Sequence, residues 1–343
     1  MSELIDRLAD LTGHRERDVL DATLVSALHD LVQPLSVAIY RPVGDADEQA
    51  WLTRARIEGG QSAPTADPPW ADISELPPLS AHPLRQACLV NQTPASHAGP
   101  PVTSLFPLAT EREIVGVLEF ITAAPLDPKQ LRLAGTILRV YRNLQGLLDY
   151  SERDTLTGLL NRKTFDEAFH RSVYVAQPAA GPAASEHRRH DASQGRTWLG
   201  VIDIDHFKAV NDNHGHLIGD EVLLLLARLM RSSFRFNDQL FRFGGEEFLV
   251  MMRCSDADSA SLALERLRRN VEAFVFPRVG HITVSIGFTE VRSNDTPAGA
   301  FERADKAVYH AKAYGRNQVA HHADLVQQGH LTDTERSGDV ELF

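Results

Sequence analysis

The sequence has few of the residues that build disulfide-bonded proteins and no long run that would cross a membrane. Only two of its 343 residues are cysteines, Cys88 and Cys254, and they lie too far apart to form a metal-ligand spacing. This usage excludes a disulfide framework and is typical of a reduced, cytosolic protein. The acidic N-terminus lacks the apolar core of a signal peptide. Because no uncharged apolar run approaches the roughly 20 residues that a membrane span needs, we expect a cytoplasmic protein without such a span.

Basic residues are also in the minority. Lysine and arginine number 35 against 46 acidic residues, which gives a net charge of −11. A general nucleic-acid-binding surface is therefore excluded and no nucleic-acid partner is expected, whereas a local basic pocket for phosphates is compatible with this balance. The hydrophobic content of 43% over this length is enough for two ordinary domains.

Hydrophobic patterning predicts a small first domain over residues 1–125. Amphipathic periodicity indicates helices over 3–12 and 17–32. Residues 59–82 are rich in Pro, Ser, Ala and Gly and are typical of a loop. Short apolar runs predict four strands, at 35–41, 50–57, 104–109 and 114–121. Helices followed by strands, a long loop and a late hairpin indicate an α/β domain.

Residues 126–153 form a predicted helix between the two domains. Apolar side chains recur there at alternating three- and four-residue steps, at Ala134, Ile137, Tyr141, Leu144 and Leu148. This is the period of a coiled coil, which would pair two protomers. An ordinary amphipathic helix that closes the first domain has the same pattern over so few turns. We favour pairing, because the helix leads directly into the second domain.

The second domain is predicted over residues 154–320. Within it, residues 177–197 are rich in Ala, Pro, Ser, His and Arg and indicate a flexible insertion. The run His187–His190 resembles a metal or anion patch, although a solvated loop explains it better. Residues 321–343 are polar and acidic and predict a disordered tail.

The most informative stretch is Arg242–Phe248, with the sequence Arg-Phe-Gly-Gly-Glu-Glu-Phe. Apolar runs flank it, which predicts a β-hairpin with Gly244 and Gly245 in the turn. Glycine leaves room for a ligand to approach the backbone closely. Glu246 and Glu247 place two carboxylates at the tip, which suits a metal and a phosphate. A solvated turn has the same composition.

A second group of acids follows the buried strand predicted over 197–204. Asp203 and Asp205 point to the same side of this strand, and acids at the end of a buried strand are costly unless paired or bound to a metal. Asp205 could instead cap the helix that carries Phe207, so Asp203 is the better metal candidate. The backbone N–H groups of 205–208 would then face an anion at the helix start.

Two further segments supply polar groups for a nucleotide. Asn211 and Asp220 offer an amide and a carboxylate. One carboxylate can accept both the N1–H and the exocyclic amine of guanine, so the pair would select guanine over adenine. Capping of the helix predicted over 221–234 is a competing role for Asp220. Lys312 and Arg316 flank the stop signal of the last helix, where they either stabilise the helix dipole or clamp a triphosphate.

Together these motifs resemble one family, the GGDEF-domain diguanylate cyclases, which join two GTP molecules into cyclic di-GMP. The resemblance covers about residues 150–320, and Leu160 replaces the proline that is usual in the family. It implies an α/β (α+β) fold in which an antiparallel-containing sheet is flanked by helices, as in the nucleotidyl cyclase palm. The motifs that carry it are Asp154–Arg162, Asp203–Lys208, Asn211–Asp220, Gly244–Phe248 and Lys312–Asn317.

The resemblance also implies roles at the matching positions. Asp203, the carbonyl of Ile204 and Glu246 would hold Mg²⁺ or Mn²⁺, with two ions for each GTP. Glu247 would contact the second ion, and Glu246 or Glu247 would help to deprotonate the attacking hydroxyl. The remaining positions would bind guanine and the phosphates, namely Asn211, Asp220, His216, Phe207, Lys208, Arg242, Gly244, Gly245, Lys312 and Arg316.

A domain of this family holds one GTP, so the resemblance implies a reaction between two facing domains. The partner would be a second copy, paired through the 126–153 helix and the first domain. Arg235 and Asp238 match the family's product-inhibition motif, with Arg266 as a further contact. Product phosphate or guanine would bind there, although an ordinary polar helix end has the same spacing.

The first domain resembles a GAF sensor domain, most clearly at 105–108 and 115–120, with a PAS-like architecture as the alternative. We expect it to control the geometry of the dimer. An alternative for the whole chain is a catalytically silent GGDEF domain that acts as a receptor for GTP or cyclic di-GMP. Degenerate members usually lose the signature acids or the metal-binding Asp, whereas Asp203, Glu246 and Glu247 are all present.

Overall fold

The computed structural model describes residues 12, 17–44, 48–68, 71–110, 114–175 and 195–332. The chain divides into two compact units, with the boundary between Ser151 and Glu152. Apart from Thr12, the helix predicted over 3–12 lies outside the described residues, as does most of the 177–197 insertion. Within the described ranges, no helix is long and apolar enough to cross a membrane.

The first unit is built on a five-stranded antiparallel sheet with the order β2-β1-β5-β4-β3. Its four longer strands confirm the predicted ones, and β4 and β5 pair as the expected hairpin. The short β3 and helix α2 were not predicted. The elements are α1 (Arg17–Val32), β1 (Ser36–Val43), β2 (Ala50–Glu58), α2 (Pro83–Asn91), β3 (Ala95–His97), β4 (Val102–Ala109), β5 (Ile114–Thr122) and α3 (Pro128–Glu152).

The apolar stripe of α3 packs inside the first unit. Ala134, Ile137 and Tyr141 join a core cluster with leucines of α1 and residues of β1 and β5, and each is at most 2% exposed. The Tyr141 hydroxyl donates a hydrogen bond to Asp21, a fully buried carboxylate of α1. The stripe therefore packs within the first unit, as expected for an ordinary amphipathic helix, and pairing of two protomers through this helix stays a prediction. The apolar pattern does not distinguish a helix that pairs with a second protomer from one that packs on its own domain, because both bury the same side chains.

The second unit contains a six-stranded sheet with the order β13-β12-β7-β9-β8-β6. The ladders that join β12, β7, β9 and β8 are antiparallel, and the outer pairs β6–β8 and β12–β13 are parallel. This confirms the expected antiparallel-containing sheet. The strands are β6 (Leu160–Asn161), β7 (Arg196–Ile204), β8 (Gln239–Gly244), β9 (Glu247–Cys254), β12 (Val284–Glu290) and β13 (Val319–His321), with a separate ribbon of β10 (Val275–Phe276) and β11 (Gly280–His281).

Helices cover both faces of this sheet, so the central strand β7 is buried on both sides. Ile202 packs in the cluster with α6 and α7, whereas Leu199 and Val201 pack with α4 and α8. Burial of both faces holds the end of β7 in a defined place, where Asp203 lies. The helices are α4 (Arg162–Val175), α5 (Phe207–His214), α6 (His216–Ser233), α7 (Ala257–Ala273), α8 (Pro297–Ala313) and α9 (His322–Gln327).

The start of the predicted disordered tail is ordered. His321 ends β13, and residues 322–327 form α9. Leu325 of this helix is 7% exposed and packs with Ala307 and Ala311 of α8. The polar composition of this segment gave no sign that a short helix would bury one leucine. The prediction of disorder from residue 321 onward is therefore wrong for residues 321–327. Residues 333–343 of the predicted tail lie outside the described residues.

Candidate functional site

The Gly-Gly-Glu-Glu stretch forms the predicted hairpin. Strands β8 and β9 are antiparallel, and Gly244 pairs with Glu247, which leaves Gly245 and Glu246 as the two residues of the turn. Gly245 has a φ of 53°, a left-handed conformation that glycine adopts without steric cost. Chain neighbours aside, no atom of the described residues lies within 4 Å of where a Cβ on Gly244 or Gly245 would be, so the backbone of the turn is open to a ligand.

Arg242 fastens this turn to the loop that opens the second unit. Its Nε and Nη2 donate to the Gly245 carbonyl at 3.2 and 3.0 Å, and its Nη1 donates to Asp154 at 3.1 Å. Although burial raises the pKa of Asp154, hydrogen bonds from Thr157 and the charge of Arg242 bring that pKa below its usual value. Arg242 was predicted to contact the nucleotide. In the structure its guanidinium contacts Asp154 and Gly245, and a contact with the nucleotide stays a prediction.

Two of the predicted metal and catalytic acids lie side by side on neighbouring strands. Asp203 of β7 is in register with Glu247 of β9. The ammonium of Lys312, from the last turn of α8, lies 2.7 Å from Oδ1 of Asp203. Glu246, in the turn, is close enough for its charge and that of Asp203 to interact. The sheet therefore brings together residues that are more than 100 positions apart in the sequence.

Negative charge at this site exceeds what the protein neutralises. Burial raises the pKa of Asp203, Glu246 and Glu247, and the charge of Asp203 raises those of both glutamates further. Lys312 opposes these shifts but does not cancel them. An acidic cluster of oxygen ligands beside an open backbone turn suits a hard divalent cation. Among the described residues, the present side-chain positions do not bring three or more His, Cys, Asp or Glu side chains together closely enough to hold a metal ion by themselves. The predicted set has two carboxylates and the Ile204 carbonyl.

Asp205 has a different role from the one predicted. Its carboxylate is 4% exposed and accepts hydrogen bonds from the hydroxyls of Thr283 and Ser285, both at 2.7 Å. It does not cap α5, because His206 is the N-cap residue, with a φ of 59°. The Asp205 N–H also donates to the Thr283 carbonyl, so it is not free to bind an anion as expected.

Asn211 and Asp220 lie on two consecutive helices that meet closely. Helix α6 begins at His216, so Asp220 lies inside the helix and does not have the alternative role of helix cap. Asp220 is exposed, and no hydrogen bond to it is found in the described part of the chain. The Asn211 amide lies against Gly219, where a Cβ would collide with its Oδ1. Because residue 219 is a glycine, the Asn211 amide can lie against the backbone of α6 at the position just before Asp220.

The remaining predicted nucleotide contacts divide into exposed and buried groups. Lys208, His216 and Arg316 are exposed and lie on α5, α6 and the turn after α8. Phe207 is only 5% exposed and belongs to the core cluster with α6. The structure therefore places Phe207 under the site as packing.

Comparison with known proteins supports the same part of the chain. Residues 151–318 match the model of the family described as diguanylate cyclase, GGDEF domain. Residues 151–318 are a GGDEF domain. A similar relative is the diguanylate cyclase DgcP of Pseudomonas aeruginosa, 40% identical over 169 residues, which are 48% of this chain and 23% of the relative. The response regulator PleD of Caulobacter vibrioides is 36% identical over 214 residues, 58% of this chain and 44% of the relative.

Among solved structures, the chain is similar to the GGDEF domain of DgcB from Caulobacter crescentus in complex with c-di-GMP. The two are 32% identical, the match covers 50% of this chain and 93% of that one, and the TM-score is 0.44. The chain spans less than half the length of the curated relatives named above.

The predicted product site lies elsewhere in the GGDEF domain, beside the start of β8. The Arg235 N–H donates to Asp238 at 2.9 Å, and the Asp238 N–H donates back to the Arg235 carbonyl at 3.0 Å. Burial raises the pKa of Asp238 to about 6, against the N–H and charge of Arg235 and the charge of Arg266. Arg266 donates through Nε to the Ser233 carbonyl at 2.8 Å. The structure thus gathers the three residues around one partly buried carboxylate.

The sequence did not indicate which residues hold the hairpin turn and the end of β7 in place without belonging to the predicted site. Asp154, through Arg242, anchors the hairpin turn. A hydrogen bond from the backbone N–H of Asn317 to Oδ2 of Asp205 joins the turn after α8 to the end of β7, with 3.1 Å between the nitrogen and the oxygen. Their motifs were noticed, but nothing in the sequence signals a contact between positions 112 residues apart.

Proposed function

We propose that this protein is an active diguanylate cyclase, which condenses two GTP molecules into cyclic di-GMP and two pyrophosphates. The observation that carries the proposal is the set formed by Asp203, Glu246 and Glu247 at the Gly-Gly turn, with Lys312 beside it. A structural role would favour a neutralised cluster, whereas burial raises the pKa of all three acids, and the charge of Asp203 raises the pKa of both glutamates further, against the charge of Lys312.

The reaction has two equivalent steps. In each, the 3′-hydroxyl oxygen of one GTP forms a bond to the α-phosphorus of the other. The bond from that phosphorus to the bridging oxygen breaks, pyrophosphate leaves with the electron pair, and the hydroxyl proton is released. Glu246 or Glu247 would take this proton, since burial and neighbouring acids raise the pKa of each and so make it a better base.

Asp203, the Ile204 carbonyl and Glu246 would hold Mg²⁺, and Glu247 a second ion. When bound, the metal ions would supply charge stabilisation for the nucleophile and the leaving group. Lys208, Lys312 and Arg316 would bind the β- and γ-phosphates, and the open backbone of Gly244 and Gly245 would pass beside them. Asn211 and Asp220 would select guanine, with His216 close by.

The reaction requires two nucleotides that face each other, so we propose that the protein acts as a homodimer. The apolar stripe of α3 is used inside the first unit, and any pairing through this helix would therefore use its outer face. Leu147 and Tyr150 lie on α3 and are 67% and 80% exposed. We also propose that the first unit, as a GAF-like or PAS-like sensor, controls this pairing.

Product inhibition is the third part of the proposal. Arg235, Asp238 and Arg266 would bind a product molecule, with the arginines on its phosphates or guanine faces and Asp238 on a guanine edge. The mutual hydrogen bonds between Arg235 and Asp238 use backbone atoms of Arg235, which leaves its guanidinium for a ligand.

The experiment that tests the activity is incubation of the purified full chain with GTP and Mg²⁺, with mass spectrometry of the products. We expect cyclic di-GMP and pyrophosphate in a ratio of one to two. Glu246→Gln is expected to reduce the rate by at least about a hundredfold, and Glu167→Gln, at an exposed acid of α4, to leave it unchanged.

The alternative function, a silent receptor, makes a distinct prediction in the same experiment. A receptor would bind GTP or cyclic di-GMP and yet make no product, even after bound inhibitor has been removed. For the inhibition itself, Arg235→Ala is expected to abolish the effect of added cyclic di-GMP on the rate. Unchanged inhibition in this variant would show that the product binds elsewhere.

A further inference from the structure

The turn after α8 has an unusual backbone. Gly315, Arg316 and Asn317 have φ values of 119°, 61° and 47°, so two consecutive non-glycine residues lie in the left-handed region. Side chains disfavour this conformation, and it persists only where surrounding contacts impose it. The turn carries Arg316, whose backbone N–H donates to the Ala311 carbonyl at 2.9 Å. Its side chain is exposed, and no side-chain hydrogen bond or ion pair to it is found among the described residues.

Asn317 is held from three sides. Its N–H donates to Oδ2 of Asp205 at 3.1 Å. Its side-chain amide donates to Glu272 at 2.7 Å and accepts from Arg268 at 2.8 Å. Arg268 and Glu272 both lie on α7 and are themselves joined at 2.8 Å. These contacts account for the left-handed backbone of the turn, because each of them depends on the present orientation of Asn317.

The same Asp205 carboxylate also holds the end of β7. It accepts from Thr283 and Ser285 at 2.7 Å, and its N–H donates to the Thr283 carbonyl at 2.9 Å. Asp205 directly follows Asp203 and Ile204, which are the proposed metal ligands. One buried carboxylate therefore fastens the strand end that would bind the metal to the turn that would bind the phosphates.

From this geometry we infer that Asp205 and Asn317 are positioning residues for the nucleotide. They hold Arg316 at a set distance from Asp203 and Ile204, so that one triphosphate can reach both. The inference rests on the proposed binding of GTP at this site. It assigns neither residue a contact with the substrate, and it predicts that both act through Arg316.

A double-mutant cycle tests this role by binding. The ligand is 3′-deoxy-GTP with Mg²⁺, which keeps the triphosphate but lacks the attacking hydroxyl and so gives no turnover. Its affinity is measured by calorimetry on the full chain. We expect Asn317→Ala to weaken binding about tenfold. In the Arg316→Ala background the same change should weaken binding by less than about twofold, because its effect passes through Arg316.

Two conservative variants separate positioning from folding. Asn317→Gly keeps the left-handed backbone and the N–H to Asp205, so it should lose less affinity than Asn317→Ala. Asp205→Asn can still accept from Asn317 and Thr283 through its Oδ1 and donate to the Ser285 hydroxyl through its amide, so it should rescue binding relative to Asp205→Ala. Thermal unfolding of each variant shows whether the domain is folded.

An equal loss of affinity in both backgrounds would overturn the inference, as would an unchanged affinity in Asn317→Ala. Either result would concern the positioning role alone and would leave the proposed function standing, provided that the wild-type protein binds the analogue and makes cyclic di-GMP from GTP. Failure of the wild-type protein to bind the analogue would instead overturn the proposed function, and the inference with it.

Discussion

The ammonium of Lys312 and the carboxylate of Asp203 form an ion pair of 2.7 Å across the second unit. One partner is a proposed phosphate ligand and the other a proposed metal ligand. The protein thus places its own cation at the acid that a metal would bind, which limits the cost of an unpaired charge at the end of a buried strand.

Removal of the Lys312 charge should weaken binding of the triphosphate specifically. We expect Lys312→Met to lower the affinity for GTP about tenfold, since a charge-assisted contact is lost, and to leave the weak binding of guanosine unchanged. Lys306→Met is the matched control, because Lys306 lies on the same helix and pairs with Glu302 at 3.0 Å. Calorimetry with both ligands provides the measurement. Equal losses for GTP and guanosine would contradict a phosphate contact.

The close approach of Asn211 to Gly219 predicts a second effect. Gly219→Ala places a methyl group on Oδ1 of Asn211 and should displace the amide. We expect the preference for GTP over ATP to fall about tenfold, because the guanine edge loses a partner. Gly135→Ala is the control, because Gly135 is a helical glycine of α3 and, apart from its own helix backbone and chain neighbours, the described part of the chain has no atom within 4 Å of its Cβ position. Competition binding with GTP and ATP measures the ratio, and an unchanged ratio in Gly219→Ala would contradict the assignment of Asn211.

Asp238 should make stability depend on pH. Its pKa is raised by burial to about 6 in the folded protein, from 3.8, so the folded state holds the proton more tightly than the unfolded state. The free energy of unfolding should therefore fall as the pH rises from about 4 to about 6, by on the order of 1–3 kcal/mol from this group.

Urea unfolding of the wild type and Asp238→Asn across this range isolates that contribution. The difference between the two proteins should change with pH only up to about 6 and be constant above it. A constant difference over the whole range would show that Asp238 is not perturbed.

The buried polar network of the first unit supports a prediction on stability. Tyr141 donates to the fully buried Asp21, which also accepts from Arg41 at 3.1 Å. Tyr141→Phe removes one of the two donors to Oδ1 of Asp21, which keeps Arg41 at 3.2 Å, and leaves the Gln145 amide without its acceptor. It should lower the free energy of unfolding by about 1–3 kcal/mol. Tyr150→Phe, on the same helix but 80% exposed, should change it by less than about 0.5 kcal/mol. Urea unfolding compares the two, and equal effects would contradict the role of the buried bond.

Local features of the second unit were predictable because their causes lie within a few residues. The hairpin at 239–254 follows from two apolar runs and a glycine pair that can adopt a left-handed conformation. The end of α8 at Ala313, just before Gly315, follows from the helix period and the stop signal. The start of α6 was predicted at residue 221, whereas the helix begins at His216.

The roles of individual polar side chains were less predictable. Arg242 has the charge of a phosphate ligand, but a carboxylate 88 residues earlier engages it. The α3 stripe has the period of a coiled coil, but α1 and the sheet cover it. In both cases the sequence did not indicate the partner within the chain, and only the fold brings that partner within contact distance.

The resemblance of short motifs identified the GGDEF domain, and hydrophobic periodicity predicted strands β7, β8 and β9 and helices α5, α6 and α8, because these features depend on short stretches of chain. Strands β6, β12 and β13 and helix α4 were not predicted. Tertiary structure alone decided which of the acids and bases meet. Asp203 acquires Lys312 from α8, and Asp205 acquires Asn317, because the antiparallel sheet and the helix packed on it bring distant strand and helix ends together. Ion pairs and hydrogen bonds act over a few ångströms, so their partners are set by the fold and not by separation along the chain.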